Sequence, residues 1–215
     1  MNSGSNTEPH PQRLRDRLRE ATSSAILEAA EEAFAESGLH ATRMDEIAGR
    51  AGVSVGTLYN YFSDKSALLA ALIDSRRKDL VGQLDQVLAE HAGEPFAAQL
   101  EAVLRTLFAH FEAHQRFLSI LMEGEHARDA QAMPAAMRPR ETMRALYSRF
   151  EALVERGLAT GWLRPECAAL YPALLMGMFR GVLVRTLYET NPPGSLVQRA
   201  PQLVDIFLNG TRKRP

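Results

Sequence analysis

The side chains most clearly grouped for chemistry are those of residues 54–65, SVGTLYNYFSDK. The set offers hydroxyls, phenols, an amide and one ammonium, which can hydrogen-bond phosphates and base edges but form no nucleophile–base pair. Wound as a helix at about 100° per residue, Leu58 and Phe62 define one buried direction. Gly56 and Asn60 point nearly opposite, Thr57 and Tyr61 flank one side, and Tyr59 flanks the other. A short helix with two large apolar anchors and a polar remainder fits a groove better than a core. Gly56 would let the helix axis approach a duplex, Thr57 and the phenols would donate to phosphate oxygens, and Asn60 would read a base edge. Val55 could pack against a thymine methyl, and Lys65, in the first turn of a helix expected to be capped by Ser63, would serve as a phosphate anchor.

The residues just upstream must position that helix. Met44, Ile47, Ala48 and Ala51 fall at i, i+3, i+4 and i+7, the apolar face of a two-turn helix, and Thr42 with Asp45 has the spacing of a capping box. Gly52 permits a left-handed turn residue, and Ser54 is placed to cap the next helix by accepting a backbone amide. Two short helices joined at an angle by a glycine-containing turn form a helix-turn-helix, whose second member lies in the DNA major groove.

The run from Ala29 to Leu72, above all IAGRAGVSVGTLYNYFSDKSALL, resembles the amino-terminal DNA-binding domain of the TetR/AcrR family of bacterial transcriptional regulators. The resemblance covers about fifty of the 215 residues. It implies a homodimer in which each subunit carries a three-helix DNA-binding head and a larger helical body that binds a small molecule and dimerises. The family's DNA-binding positions map onto Thr42, Arg43, Ser54, Val55, Gly56, Thr57, Tyr59, Asn60 and Tyr61, and its phosphate-binding lysine onto Lys65. Arg43 stands where serine or threonine is more usual, and Val55 holds a variable, often polar position; both departures bear on which operator is read.

Along the whole chain, glycine and proline punctuate apolar residues spaced three and four apart, with no sustained two-residue alternation. The expected fold is all-α with about nine helices, near 15–36, 44–51, 55–61, 64–89, 95–114, 116–126, 140–160, 166–188 and 196–209. Pro201 either kinks the last helix or moves its start to about Ala200. The expected organisation is a disordered tail over 1–12, a DNA-binding head over 13–63, a ligand-binding and dimerisation body over 64–210 and a tail over 211–215. Bulk charge is nearly balanced, 25 basic against 26 acidic residues, which argues against coating nucleic acid electrostatically. Arg13, Arg15, Arg17 and Arg19 nonetheless crowd one stretch, opposed only by Asp16, and form a local basic arm that reads equally as the solvated first turn of a helix or as a contact to phosphate.

In the body, Phe108, Phe111, Phe117, Leu121, Met122, Tyr147, Phe150, Met176, Met178 and Phe179 supply aromatic and thioether surface suited to a hydrophobic effector. Plain core packing is the competing explanation for any one of them. Gly177 and Gly181, four apart, form a small-residue stripe, and Leu196, Leu203, Val204 and Phe207 a second apolar stripe; together they are the expected dimer interface, with packing inside one chain as the alternative. His110, His114, Glu123 and His126 contain only one Glu-x-x-His pair, short of a di-iron set, so no metal is expected. The single cysteine, Cys167, reads as a small buried hydrophobe.

No catalytic constellation or phosphate-binding glycine loop appears, so the chain is not read as an enzyme, and no cofactor is expected. The longest uncharged apolar stretch, Cys167–Phe179, is too short to span a bilayer, and the first dozen residues lack a signal-peptide core, so the expected location is the cytoplasm. The expected partners are a near-palindromic double-stranded DNA operator, a small effector and a second copy of the chain. The competing function is a helical protein-interaction module that has lost specific DNA binding, favoured by a head that is not basic overall.

Overall fold

The computed structural model describes residues 11–115, 140–188 and 194–211. Among them the fold is all-α, with eight α-helices, two short 3-10 turns and no strand. The helix expected over 116–126 lies outside the described residues, as do Phe117, Leu121, Met122, Glu123 and His126. The chain divides into two compact units, Met1–Ile73 and Asp74–Pro215.

The first unit contains α1 (Pro11–Ala41), α2 (Met44–Arg50), α3 (Val55–Tyr61) and the start of α4 (Lys65–Glu90). On α1, Ile26, Ala30, Ala33 and Phe34 share one face and are fully buried, as are Ile47 of α2, Leu58 of α3, and Leu68 and Leu72 of α4, and α2 packs on both α1 and α3. Helix α1 begins four residues before its expected start, with Pro11 in the first turn, where a missing amide hydrogen costs nothing. Gly38, at φ +78°, breaks the helical path near its end.

The second unit holds the rest of α4 with α5 (Phe96–Ala113), α6 (Arg140–Ala159), α7 (Tyr171–Tyr188) and α8 (Ala200–Thr211). Its core joins Leu84, Leu100, Phe108, Phe150, Tyr171, Phe179 and Phe207 among others. Helix α6 packs on α7, while α5 packs on α6, on α8 and on the 3-10 turn Leu196–Arg199. Helix α8 starts at Ala200 with Pro201 in its first turn. The helix expected over 166–188 opens as a 3-10 turn, Pro165–Leu170. Between these elements, Arg149 holds Asp85 through Nε at 3.0 Å and Nη2 at 2.7 Å. Arg156 donates to the Leu88 carbonyl at 2.8 Å and to Gln99 Oε1 at 3.1 Å.

Helix α7 is apolar on two sides. Tyr171, Leu175, Met176, Phe179 and Leu183 face the core, whereas Leu170, just before the helix, and Leu174 are exposed. Because both sides are apolar, Pro165–Thr186 is long and apolar enough to cross a membrane by length and composition, which the uncharged run alone did not suggest. Arg180 and Arg185 interrupt that segment.

Candidate nucleic-acid interface

Helix α3 is held from three directions. Ser54 takes extended backbone angles, and its Oγ accepts the Thr57 amide at 3.0 Å, the expected cap. Gly52 adopts φ +68°, turning the chain between α2 and α3. Leu58 anchors the helix from below, fully buried. Phe62, expected to share that anchoring, is instead the extended C-cap residue and only half-buried.

With those constraints the polar residues face outward. Val55, Gly56, Tyr59 and Asn60 are exposed, Tyr59 to 49%, and Thr57 and Tyr61 are half-buried. The Thr57 hydroxyl shares a hydrogen bond with Ser54 Oγ at 2.8 Å. An added Cβ on Gly56 would touch only Ser54 Oγ, at 3.9 Å, so the position is open for a partner to approach. Tyr61 lies beneath the Arg19 guanidinium, 5.8 Å from ring centroid to Cζ.

Three residues around α3 behave differently from expectation. Thr42 is 2% exposed and makes no cap; its hydroxyl donates toward the carbonyls of Gly38 at 2.7 Å and Ala33 at 3.1 Å, tying the end of α1 to the start of α2. The N-cap of α2 is Arg43, which has no side-chain cap bond. Its exposed guanidinium instead grips Asp45 through Nε at 3.0 Å and Nη2 at 2.9 Å, holding that carboxyl below its ordinary range.

At α4 the cap is Asp64 rather than Ser63. Asp64 Oδ1 accepts the Ala67 amide at 2.8 Å, and Ser63 donates to the other oxygen at 3.1 Å. The helix starts at Lys65, which puts Asp64 at the position just before it, three residues from the amide it accepts. Those two bonds, the Ala67 amide first, push the Asp64 carboxyl below its ordinary range. Lys65 is not a free anchor: its Nζ donates at 3.0 Å to each of the carbonyls of His40 and Thr42. One of its three protons is left for any outside partner.

In the second unit the described residues among those expected to line a pocket belong to one core cluster. Phe179 meets Phe108 and Phe111, each at 5.4 Å between ring centroids. Phe108, Phe150 and Met176 are buried, and Phe111, Tyr147 and Met178 pack half-buried against the same cluster. His110 is buried and His114 half-buried, their rings 4.7 Å apart. Cys167 is half-buried against the core rather than fully enclosed.

The expected dimer stripe divides in two. Leu196, Leu203, Val204 and Phe207 are buried inside their own subunit, because α8 and its preceding turn pack on α5, so they are not an outward face. Gly177 and Gly181 are exposed, with nothing within 4 Å of an added Cβ. They continue a row that the sequence reading did not include, Leu170 and Leu174, which are exposed; on α8, Ile206 is exposed as well, to 64%. The missed signal was the spacing: 170, 174, 177 and 181 recur at helical intervals.

Residues 26–72, which contain this helix-turn-helix, match bacterial regulatory proteins of the tetR family, and residues 97–181 match the tetracyclin repressor-like C-terminal domain. The chain belongs to the tetR family. As a member it is a DNA-binding transcriptional regulator. It is similar to the uncharacterized HTH-type transcriptional regulator YhgD of Bacillus subtilis, at 29% identity over 78% of this chain and 85% of that protein. It is also similar to the HTH-type transcriptional activator FasR of Mycolicibacterium smegmatis, at 32% identity over 53% of this chain and about half (51%) of that one. Among solved structures, this regulator matches the fatty acid degradation regulator FadR of Bacillus halodurans with a TM-score of 0.73, 20% identity and 97% and 100% coverage of the two chains, a likeness of fold.

Proposed function

We propose that this regulator acts as a repressor that binds a near-palindromic operator as a homodimer and is released by a small hydrophobic effector, with residues 13–63 as the DNA-binding head and 64–210 as the body. The observation that carries the reading is the outward polar face of α3. A capped seven-residue helix with one buried anchor presents an amide, a hydroxyl, two phenols and an unobstructed glycine. Asn60 is assigned the base edge, Val55 a thymine methyl, and Thr57, Tyr59 and Tyr61 phosphate oxygens, with Arg43 and the remaining proton of Lys65 at the flanks. Thr42 supports the site from inside.

Dimerisation is assigned to the exposed row Leu170, Leu174, Gly177, Gly181 with Ile206, an apolar surface of the kind that marks an interface. Two recognition helices about 34 Å apart meet successive major grooves. The Phe108, Phe111, Phe150, Met176 and Phe179 cluster supports an apolar effector, as does FadR's role in fatty acid degradation in a protein of like fold. Release follows if effector-bound protein favours a head spacing that misfits the operator, with the unbroken α4 as lever.

Selection of full-length protein on a random-sequence duplex pool tests the reading. Enrichment of a near-palindrome supports it; no enrichment at any salt concentration would favour the interaction-module alternative. Promoter occupancy in a purified transcription assay separates repression from activation.

A further inference from the structure

The first turns of α1, Arg13 to Ala21, are exposed on every side. A helical segment that buries nothing draws no stability from tertiary packing, so a partner surface is its natural source of order. Its residues are sorted by face. Arg15, Leu18, Arg19 and Thr22 fall at i, i+3, i+4 and i+7, in line with the face that further along buries Ile26, Ala29 and Ala33. Together with Asn60 and Tyr61 of α3 these four residues line an open groove of about 390 Å³.

The Arg19 guanidinium over the Tyr61 ring holds the arm against the outward side of α3. Arg15 has no ion-pair partner among the described residues. Asp16 and Glu20 sit about 100° and 140° around the helix from Arg15, and Arg13 and Arg17 about 160° away, so the groove wall itself carries only positive charge.

We propose that this arm is a second DNA-contact element: Arg15 and Arg19 grip backbone phosphates of the strand bordering the groove that α3 enters, extending the footprint beyond the helix-turn-helix. The inference rests on the assignment of α3 to the operator. Any duplex seated on Asn60 and Tyr61 meets the groove that these residues share with the two arginines. Guanidinium forks match phosphate oxygens bidentately, and such contacts add affinity without sequence preference.

The test uses the duplex that the wild-type protein itself enriches from a random pool. Its affinity is measured against salt concentration for the wild type, for Arg15→Gln/Arg19→Gln, and for Arg13→Gln/Arg17→Gln on the opposite face, which removes the same charge. One phosphate per arginine flattens the slope of log K against log salt by about 0.9 each. The groove pair should therefore lose about two units per bound arm, with unchanged base preference, and the opposite pair far less. All four side chains are exposed, so matching circular dichroism and thermal unfolding confirm intact folds. Equal slopes for the two double variants, or a wild-type slope in both, would overturn the arm. A wild type that enriches no duplex would overturn the α3 assignment, and the arm with it.

Discussion

Lys65 illustrates how a residue can serve an interface from behind it. Two of its three protons hold the carbonyls of His40 and Thr42, and Thr42 in turn holds α1, so the lysine ties the α1–α2 connection to the first turn of α4. Hydrogen bonds from a charged donor contribute about 1.5–3 kcal/mol each when sheltered. For this half-buried group we expect Lys65→Met to lower unfolding stability by about 1.5 kcal/mol in total. A chemical denaturation series should show that loss without DNA present; a variant as stable as wild type would return Lys65 to a purely external role. The Ser54 cap and the Gly52 turn were legible in the sequence because their partners lie within three or four residues. The bonds of Thr42 to Ala33 and of Lys65 to His40 and Thr42 were not, because they reach carbonyls nine to twenty-five positions away that only the folded chain brings near.

At the scale of elements, helical periodicity located α2 to α6 to within a residue, and erred at the starts of α7 and α8, each preceded by a 3-10 turn whose bonds follow a different spacing. Periodicity also could not say which face of α7 meets its own chain, since both faces are apolar. The crossing beside α6 depends on Gly157. A Cβ there would stand 2.8 Å from Leu163 Cδ1 and from Phe96 Cε2, both side chains being enclosed in the core. Overpacking costs about 1–3 kcal/mol, and the gain in helix propensity returns only about 0.8–1.0 kcal/mol. Gly157→Ala should thus lower Tm, while Gly82→Ala, on the exposed face of α4 with open space around it, should raise stability by about 0.5–1 kcal/mol. Scanning calorimetry of the two variants checks the opposite signs; a stabilised Gly157→Ala would contradict the close packing described.

At the scale of the molecule, the apolar row along α7 needs a covering surface. Leu196, Leu203, Val204 and Phe207 are used within the subunit, leaving Leu170, Leu174 and Ile206 outward. A two-fold interface contains every substituted residue twice, so Leu174→Glu/Ile206→Glu should sediment as a monomer while keeping its helical content. Losing the linked second head should weaken operator binding by about 10²-fold or more. A dimeric variant in sedimentation velocity would move the interface elsewhere.

The whole account depends on α3 reading bases with Asn60. The direct measurement is the affinity of wild type and Asn60→Ala for the enriched duplex and for each of its single-base variants. The account predicts that Asn60→Ala loses discrimination worth about 1–3 kcal/mol at one base position in each half-site and keeps it elsewhere. Unaltered preference at every position would contradict it.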